Sequence, residues 1–175
     1  MKNITNIKIS CVYKLPNNWK VLLNHILKKR HISCKKSANI TVVRDKYVFC
    51  IFERKDKNIH FNVTNIKSFS DIYNFLFFFS EHYFTYDTKL ISLNIDNITA
   101  NFYVKEKINL QQIYSIEKTQ IKFNPERFSG YFLKFQKGTA IIFRSGKINI
   151  VGCKCISAIN EICQILEKNL HVTML

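Results

Sequence analysis

Phe123-Asn124-Pro125-Glu126-Arg127-Phe128-Ser129-Gly130 opens the stretch that decides the fold. It continues through Ala140-Ile141-Ile142-Phe143-Arg144-Ser145-Gly146-Lys147 to Val151-Gly152-Cys153-Lys154. Glu126 reads as a turn or helix-start residue. Ser145-Gly146-Lys147, set between two apolar runs, reads as a tight hairpin. Tyr131 to Phe135, Thr139 to Phe143 and Lys147 to Val151 form three successive short strands.

Outward from this stretch the chain repeats itself. Ile51-Phe52 recurs as Ile142-Phe143 and Asn6-Ile7 as Asn97-Ile98, both at an offset of 91 residues. Trp19 and Leu22 match Leu110 and Ile113 at the same offset. Phe69, Ile72, Phe75 and Leu76 match Ile159, Ile162, Ile165 and Leu166 at an offset of 90 residues. Several matches kept in order indicate an internal duplication.

Each repeat has one grammar. An opening strand (residues 4–13, then 90–104) leads to a short amphipathic helix (18–29, then 109–117). Short strands follow, at 40–43, 47–52 and 59–63 in the first repeat. A longer helix closes each repeat (68–82, then 157–170), its apolar residues on one helical face. The expected class is α+β, with repeats at 1–89 and 90–175 forming one domain. One curved antiparallel sheet would carry helices on its convex side and leave the other face open.

The chain has 175 residues, enough for one domain that folds without disulfide or metal. Hydrophobic content is 47% and there are 15 Phe, which excludes a disordered chain. Net charge is +15, which points to a polyanionic partner. Residues 1–90 hold sixteen Lys and Arg against six Asp and Glu, so the first half is the more basic. Four Gly and two Pro argue against glycine-loop nucleotide folds and proline-rich linkers. No signal peptide is expected from residues 1–6, and the longest wholly apolar run, Phe75 to Phe79, is far too short for a membrane span. The six cysteines form no C-x2-C pair, so reduced thiols and no metal are expected. The histidines lie in no catalytic context, and an enzyme is not expected. No cofactor or small-molecule substrate is implied.

The motifs at 123–154 resemble the second half of the TATA-box-binding protein core, and Asp96-Asn97-Ile98 is similar to that family's opening strand. The resemblance covers residues 94–170 well and is faint over 1–85, where it rests mainly on the repeat offset. It implies a pseudo-symmetric two-repeat saddle and a DNA-binding transcription initiation factor that binds and bends AT-rich duplex through the minor groove. It places Asn6 and Asn97 at the centre of the open face, where amide donors suit the acceptor-only edge of A·T pairs. It makes Phe128 and Phe143 wedges between base steps, with Phe52 as the surviving wedge of the first repeat. Thr99, Ile141, Asn149 and Val151 would line the face, and Arg127, Lys134, Lys147 and Lys154 would touch phosphates.

The pattern departs from the family in several places. Val151 stands for a Thr, Thr99 for a Val, and Ser129 for a Pro. Residues 53–58 replace the first hairpin, Lys8 stands where an apolar groove residue is expected, and the first-repeat counterpart of Phe128 falls near Ser37 or Ala38, where no Phe occurs.

Expected partners are AT-rich double-stranded DNA and possible B-type initiation factors or RNA polymerase subunits, with no membrane. Alternatives are a degenerate saddle serving as a protein-interaction module in a transcription complex, and a non-specific basic nucleic-acid binder. The divergence and the Lys, Asn and Ile content suggest a viral, AT-rich genome. The expected location is intracellular, in the nucleus or in a cytoplasmic viral factory.

Overall fold

The computed structural model describes residues 3–37, 40–53, 58–83, 88–116 and 119–175. In chain order the elements are β1 (Ile4–Lys14), α1 (Trp19–Lys29), β2 (Ser33–Ser37), β3 (Ile40–Arg44), β4 (Val48–Glu53), β5 (Asn58–Ile66) and α2 (Phe69–His82). The same order then recurs: β6 (Lys89–Tyr103), α3 (Leu110–Tyr114), β7 (Gln120–Asn124), β8 (Phe128–Phe135), β9 (Gly138–Phe143), β10 (Lys147–Cys153) and α4 (Ile156–Leu170). The chain divides into two compact units. The N-terminal unit is Asn6–Ile95, and the C-terminal unit is Met1–Thr5 with Asp96–Leu175.

In the N-terminal unit an antiparallel sheet runs β2-β3-β4-β5-β1. Alternation makes it two-faced: Ile7, Ile9, Cys11 and Tyr13 of β1 are buried, while Lys8, Ser10 and Val12 between them are half-exposed. β5 does the same with Ile59, Phe61 and Val63 inside and His60, Asn62 and Thr64 outside. Helix α2 buries Ile72, Phe75, Phe78 and Phe79, and it packs on β5. It starts where Ser68 Oγ accepts the Asp71 N–H at 3.1 Å and the Asp71 carboxylate accepts the Lys67 N–H at 3.2 Å. The bond with the Ser68 hydroxyl holds the Asp71 carboxyl below the ordinary carboxylate range.

The core of this unit is aromatic. Phe61 meets Phe79 at 4.9 Å between ring centroids, Tyr13 meets Phe79 at 5.1 Å, and Phe49 meets Tyr83 edge-on at 5.2 Å. Tyr83 donates its hydroxyl to Asp45 at 2.7 Å, and Arg30 pairs with the same carboxylate at 3.2 Å. This clasp ties together the segments that follow α1, β3 and α2. Burial and the Asp45 hydrogen bond both push the Tyr83 phenol up from its ordinary pKa.

In the C-terminal unit the antiparallel sheet runs β7-β8-β9-β10-β6. Its core is aliphatic: Ile98, Leu133, Ile142, Ile148 and Ile150 from the strands meet Ile159, Ile162 and Leu166 of α4. The hairpin expected at residues 145–147 is present, with the Gly146 N–H donating to the Phe143 carbonyl at 3.0 Å.

The class expected from the sequence is the one found, and most element bounds fall within three residues of expectation. Two differences stand out. The helix expected over 109–117 is limited to Leu110–Tyr114, capped at its start by Asn109 Oδ1, which accepts the Gln111 N–H at 3.0 Å; residue 117 lies outside the described residues. Strands β2 and β7 were not expected. β2 shows no alternation, because Ser33 to Lys36 are all exposed, and β7 is only five residues long.

Candidate nucleic-acid interface

The open face of each sheet is built by the outward residues of the alternating strands. In the C-terminal unit, register places Asn101, Asn149, Ile141, Phe132 and Lys122 in one row across β6, β10, β9, β8 and β7. Val151, Thr139, Lys134 and Gln120 form the next row. On the other side, Tyr103 pairs with Lys147, and Phe143 pairs with Gly130.

Three rings gather at the β8–β9 end of this face. Phe128 is 40% exposed. It lies 5.0 Å from Phe132 and 5.6 Å from Phe143, centroid to centroid. Gly130 makes the cluster possible: a Cβ there would stand 2.6 Å from Phe128 Cε1 and 3.2 Å from Phe143 Cε1. Beside the rings, Lys122, Arg127, Phe128, Phe132, Lys134 and Thr139 line a groove of about 690 Å³. Among the described residues, no acidic side chain lines it. Arg127 is exposed in the turn before β8, where its N–H donates to the Asn124 carbonyl at 3.2 Å.

Asn97 is aimed by the backbone. Its Oδ1 accepts the Gly152 N–H at 2.6 Å, and its Nδ2 approaches Thr99 Oγ1 at 3.3 Å. Gly152 has φ +81° and sits in the irregularity where β10 shifts register against β6. With the oxygen engaged and Nδ2 donating to Thr99, the amide keeps one further N–H to donate. The N-terminal unit repeats the device. Asn6 Oδ1 accepts the Asn65 N–H at 2.9 Å, and Asn65 has φ 66°, a left-handed conformation that Asn tolerates.

Asn97, Thr99, Arg127, Phe128, Lys134, Ile141, Phe143, Lys147, Asn149, Val151 and Lys154 all lie in the C-terminal unit, and Asn6 and Phe52 in the other. Phe143, Ile141, Lys147, Asn149 and Val151 are half-exposed, while Lys134 and Lys154 are exposed. Phe52 is half-buried on β4, opposite Ile40 and His60. Ser37 pairs with Ile40, but its side chain and Ala38 lie outside the described residues, as do residues 54–57.

Sequence reasoning missed Phe132, Asn101 and Thr139, which share the C-terminal face. It also missed Ser10, His60 and Asn62, which occupy corresponding register positions in the other unit. Period-two counting from Phe128 through Gly130 reaches Phe132 and Lys134, and that was the available signal.

Lys134 and Lys154 also border a second hollow at the start of α4, beside the exposed Cys155. The Ser157 hydroxyl, 3.1 Å from its sulfur, is the main cause holding the Cys155 thiol below its ordinary pKa. Burial pushes the thiols of Cys153 and Cys163 up to about 11. Among the described residues, no group of three or more His, Cys, Asp or Glu side chains could hold a metal ion. No helix among them is long and apolar enough to cross a membrane.

Comparison with known proteins places this geometry. Residues 92–171 match the family model of Transcription factor TFIID (or TATA-binding protein, TBP). The TATA-box-binding protein of Thermococcus celer is 32% identical over 84 residues, covering 45% of this chain and 44% of the relative. That of Pyrococcus abyssi is 33% identical over 85 residues, covering 47% and 44%. The sequence match therefore spans less than half the length of these relatives. The structure of Methanococcus jannaschii TBP superposes with a TM-score of 0.73, covering 97% of both chains at 19% identity. The matched family is one of transcription factors and not of enzymes. Residues 92–171 are thus similar in sequence to the TATA-binding protein family, and the chain shares the fold of the Methanococcus jannaschii TBP structure.

Proposed function

We propose that this chain is a transcription initiation factor that binds AT-rich duplex DNA through the minor groove and bends it. The observation that carries this reading is the repeated asparagine device. Asn6 and Asn97 each have the oxygen tied to a left-handed backbone N–H, so each offers amide donors. A·T and T·A pairs present only acceptors in the minor groove, whereas a G·C pair adds an amino group there. Two sets of outward donors therefore favour A·T.

The rings of Phe128 and Phe143 serve as wedges that unstack a base step and kink the duplex. Lys134, Lys147, Lys154 and Arg127 neutralise phosphates and set position without reading sequence. Thr99, Ile141 and Val151 fill the groove between them. In the N-terminal unit, Phe52 is the one wedge within the described residues, and Lys8 on the open face adds charge in place of apolar contact. B-type initiation factors or polymerase subunits are the protein partners this role implies. The reading extends to a viral source and to work in a nucleus or a cytoplasmic viral factory, supported by the divergence of the first repeat and AT-rich coding.

The test is binding to AT-rich and GC-rich duplexes labelled at both ends, with the end-to-end distance read by fluorescence at several salt concentrations. Expected are tighter binding to the AT-rich duplex, a shortened distance, and log affinity falling by about 0.9 per neutralised phosphate per log unit of salt. Equal affinity for both duplexes without bending would leave a non-specific binder. No duplex binding, with a protein partner captured instead, would leave the interaction module.

A further inference from the structure

The two kinds of asparagine on the C-terminal face are in opposite hydrogen-bonding states. Asn97 has its oxygen occupied by the Gly152 N–H. Asn149 has its Oδ1 buried and accepting no hydrogen bond from the described residues. Buried acceptors without a partner are uncommon, and each calls for an explanation. Asn149 is half-exposed, faces the open side of β10, and stands directly opposite a second amide, Asn101 of β6. Its other neighbour in the row is the apolar Ile141.

We propose that Asn149, flanked by Asn101, is a specificity-determining residue that lets this chain accept a G·C pair at one place in its site, by receiving the exocyclic amino group of guanine. The inference rests on the minor-groove reading above and deepens it. The guanine amino group is the only base-edge donor in the minor groove. A face lined there by apolar side chains leaves that donor buried and unpaired, which disfavours G·C. Rotation of the Asn149 amide about its last torsion turns the buried, unpartnered oxygen to the open face, where it supplies the missing acceptor and is itself satisfied by the donor. Because a carboxamide carries donor and acceptor together, Asn149 and Asn101 also serve A·T at the same step. The amino group is therefore tolerated over Asn149 and penalised elsewhere on the face.

The experiment scans one AT-rich duplex with 2,6-diaminopurine, which adds the minor-groove amino group to one A·T pair at a time. The readout is the affinity of each substituted duplex divided by that of the parent duplex for the same protein. For the unaltered protein we expect a loss of about tenfold at most positions. At one position, or two adjacent ones, the loss should be under twofold. Asn149→Val should restore the tenfold penalty at that position, and Asn149→Asp, which keeps an acceptor, should retain the tolerance whatever its overall affinity. Thermal melting of each variant checks folding, and Asn101→Val, which should raise the penalty at the same position, covers a misfolded Asn149→Val.

A uniform penalty in the unaltered protein, or a tolerant position indifferent to Asn149→Val and Asn101→Val, would overturn the inference while leaving minor-groove binding intact. Failure of the parent duplex to bind would overturn both.

Discussion

The backbone N–H of Gly152 donates to Oδ1 of Asn97 at 2.6 Å, so one hydrogen bond fixes which end of a surface amide faces outward. The bond lies inside the C-terminal unit and would be present before any ligand arrives. Reading by Asn97 is then preorganised, and the side chain has little rotamer freedom left to lose on binding.

Replacing Asn97 by Asp separates the two roles of the amide. The acceptor for Gly152 is kept, so stability in urea should stay within about 1 kcal/mol of the original. The outward donors become carboxylate oxygen facing base acceptors and phosphates, and affinity for AT-rich duplex should fall more than about tenfold. Asn97→Ala should lose both, with about 0.5–1.5 kcal/mol of stability from the lost hydrogen bond. Equal binding by Asn97→Asp would show that the donors are not used.

Phe128 and Phe49 offer a contrast within one residue type. Phe49 is fully buried among Phe61, Phe75, Phe79 and Tyr83, so Phe49→Ala should cost about 3–5 kcal/mol. Phe128 is 40% exposed, and Phe128→Ala should cost less than about 2 kcal/mol while removing the bend. Chemical denaturation alongside the end-to-end distance of a labelled duplex reads both quantities. A large stability loss with bending intact would make Phe128 a packing residue.

Gly130→Ala tests the ring cluster from beneath. The new Cβ would press on Phe128 Cε1 at 2.6 Å, Ile141 Cγ2 at 2.9 Å and Phe143 Cε1 at 3.2 Å. The two Phe rings can shift, but Ile141 Cγ2 is fixed to the Cβ of a β-branched strand residue, so the stability loss should be about 1–3 kcal/mol. The rings would be displaced, and bending should weaken although neither Phe is changed. Unaltered bending would mean the rings act independently of their spacing.

Thiol labelling should be selective. Cys155 is exposed with its thiol held below the ordinary pKa, while those of Cys153 and Cys163 are pushed up to about 11. Several pH units below 11 the latter two are almost wholly protonated, and the thiolate is the nucleophile. Iodoacetamide at neutral pH, mapped by peptide mass spectrometry, should modify Cys155 well before Cys153 or Cys163. Comparable rates at all three would contradict the burial described.

Much of this was legible in the residues. Strong alternation in β1, β9 and β10 and one-sided apolar spacing in α2 and α4 declared those elements. The edge strand β2 gave no signal, because Ser33-Cys34-Lys35-Lys36 is exposed throughout and has no inner face to mark. Phe132 was hidden because Tyr131 and Leu133 on either side are apolar and buried, so the run reads as a two-sided core strand. Asn6 and Asn97 could be picked out by their place in the repeat. The bonds that orient them depend on backbone irregularities that no side-chain pattern announces.

The aromatic core of the N-terminal unit has a consequence for descent. Ring contacts among Phe49, Phe61, Phe75 and Phe79 lie on the buried side of the sheet, away from half-exposed positions such as Lys8 and Asn62. Mutations at half-exposed positions such as Lys8 or Asn62 therefore leave that cluster intact. Selection can rewrite that surface position by position, and drift there leaves a domain that still folds with a changed set of contacts to offer.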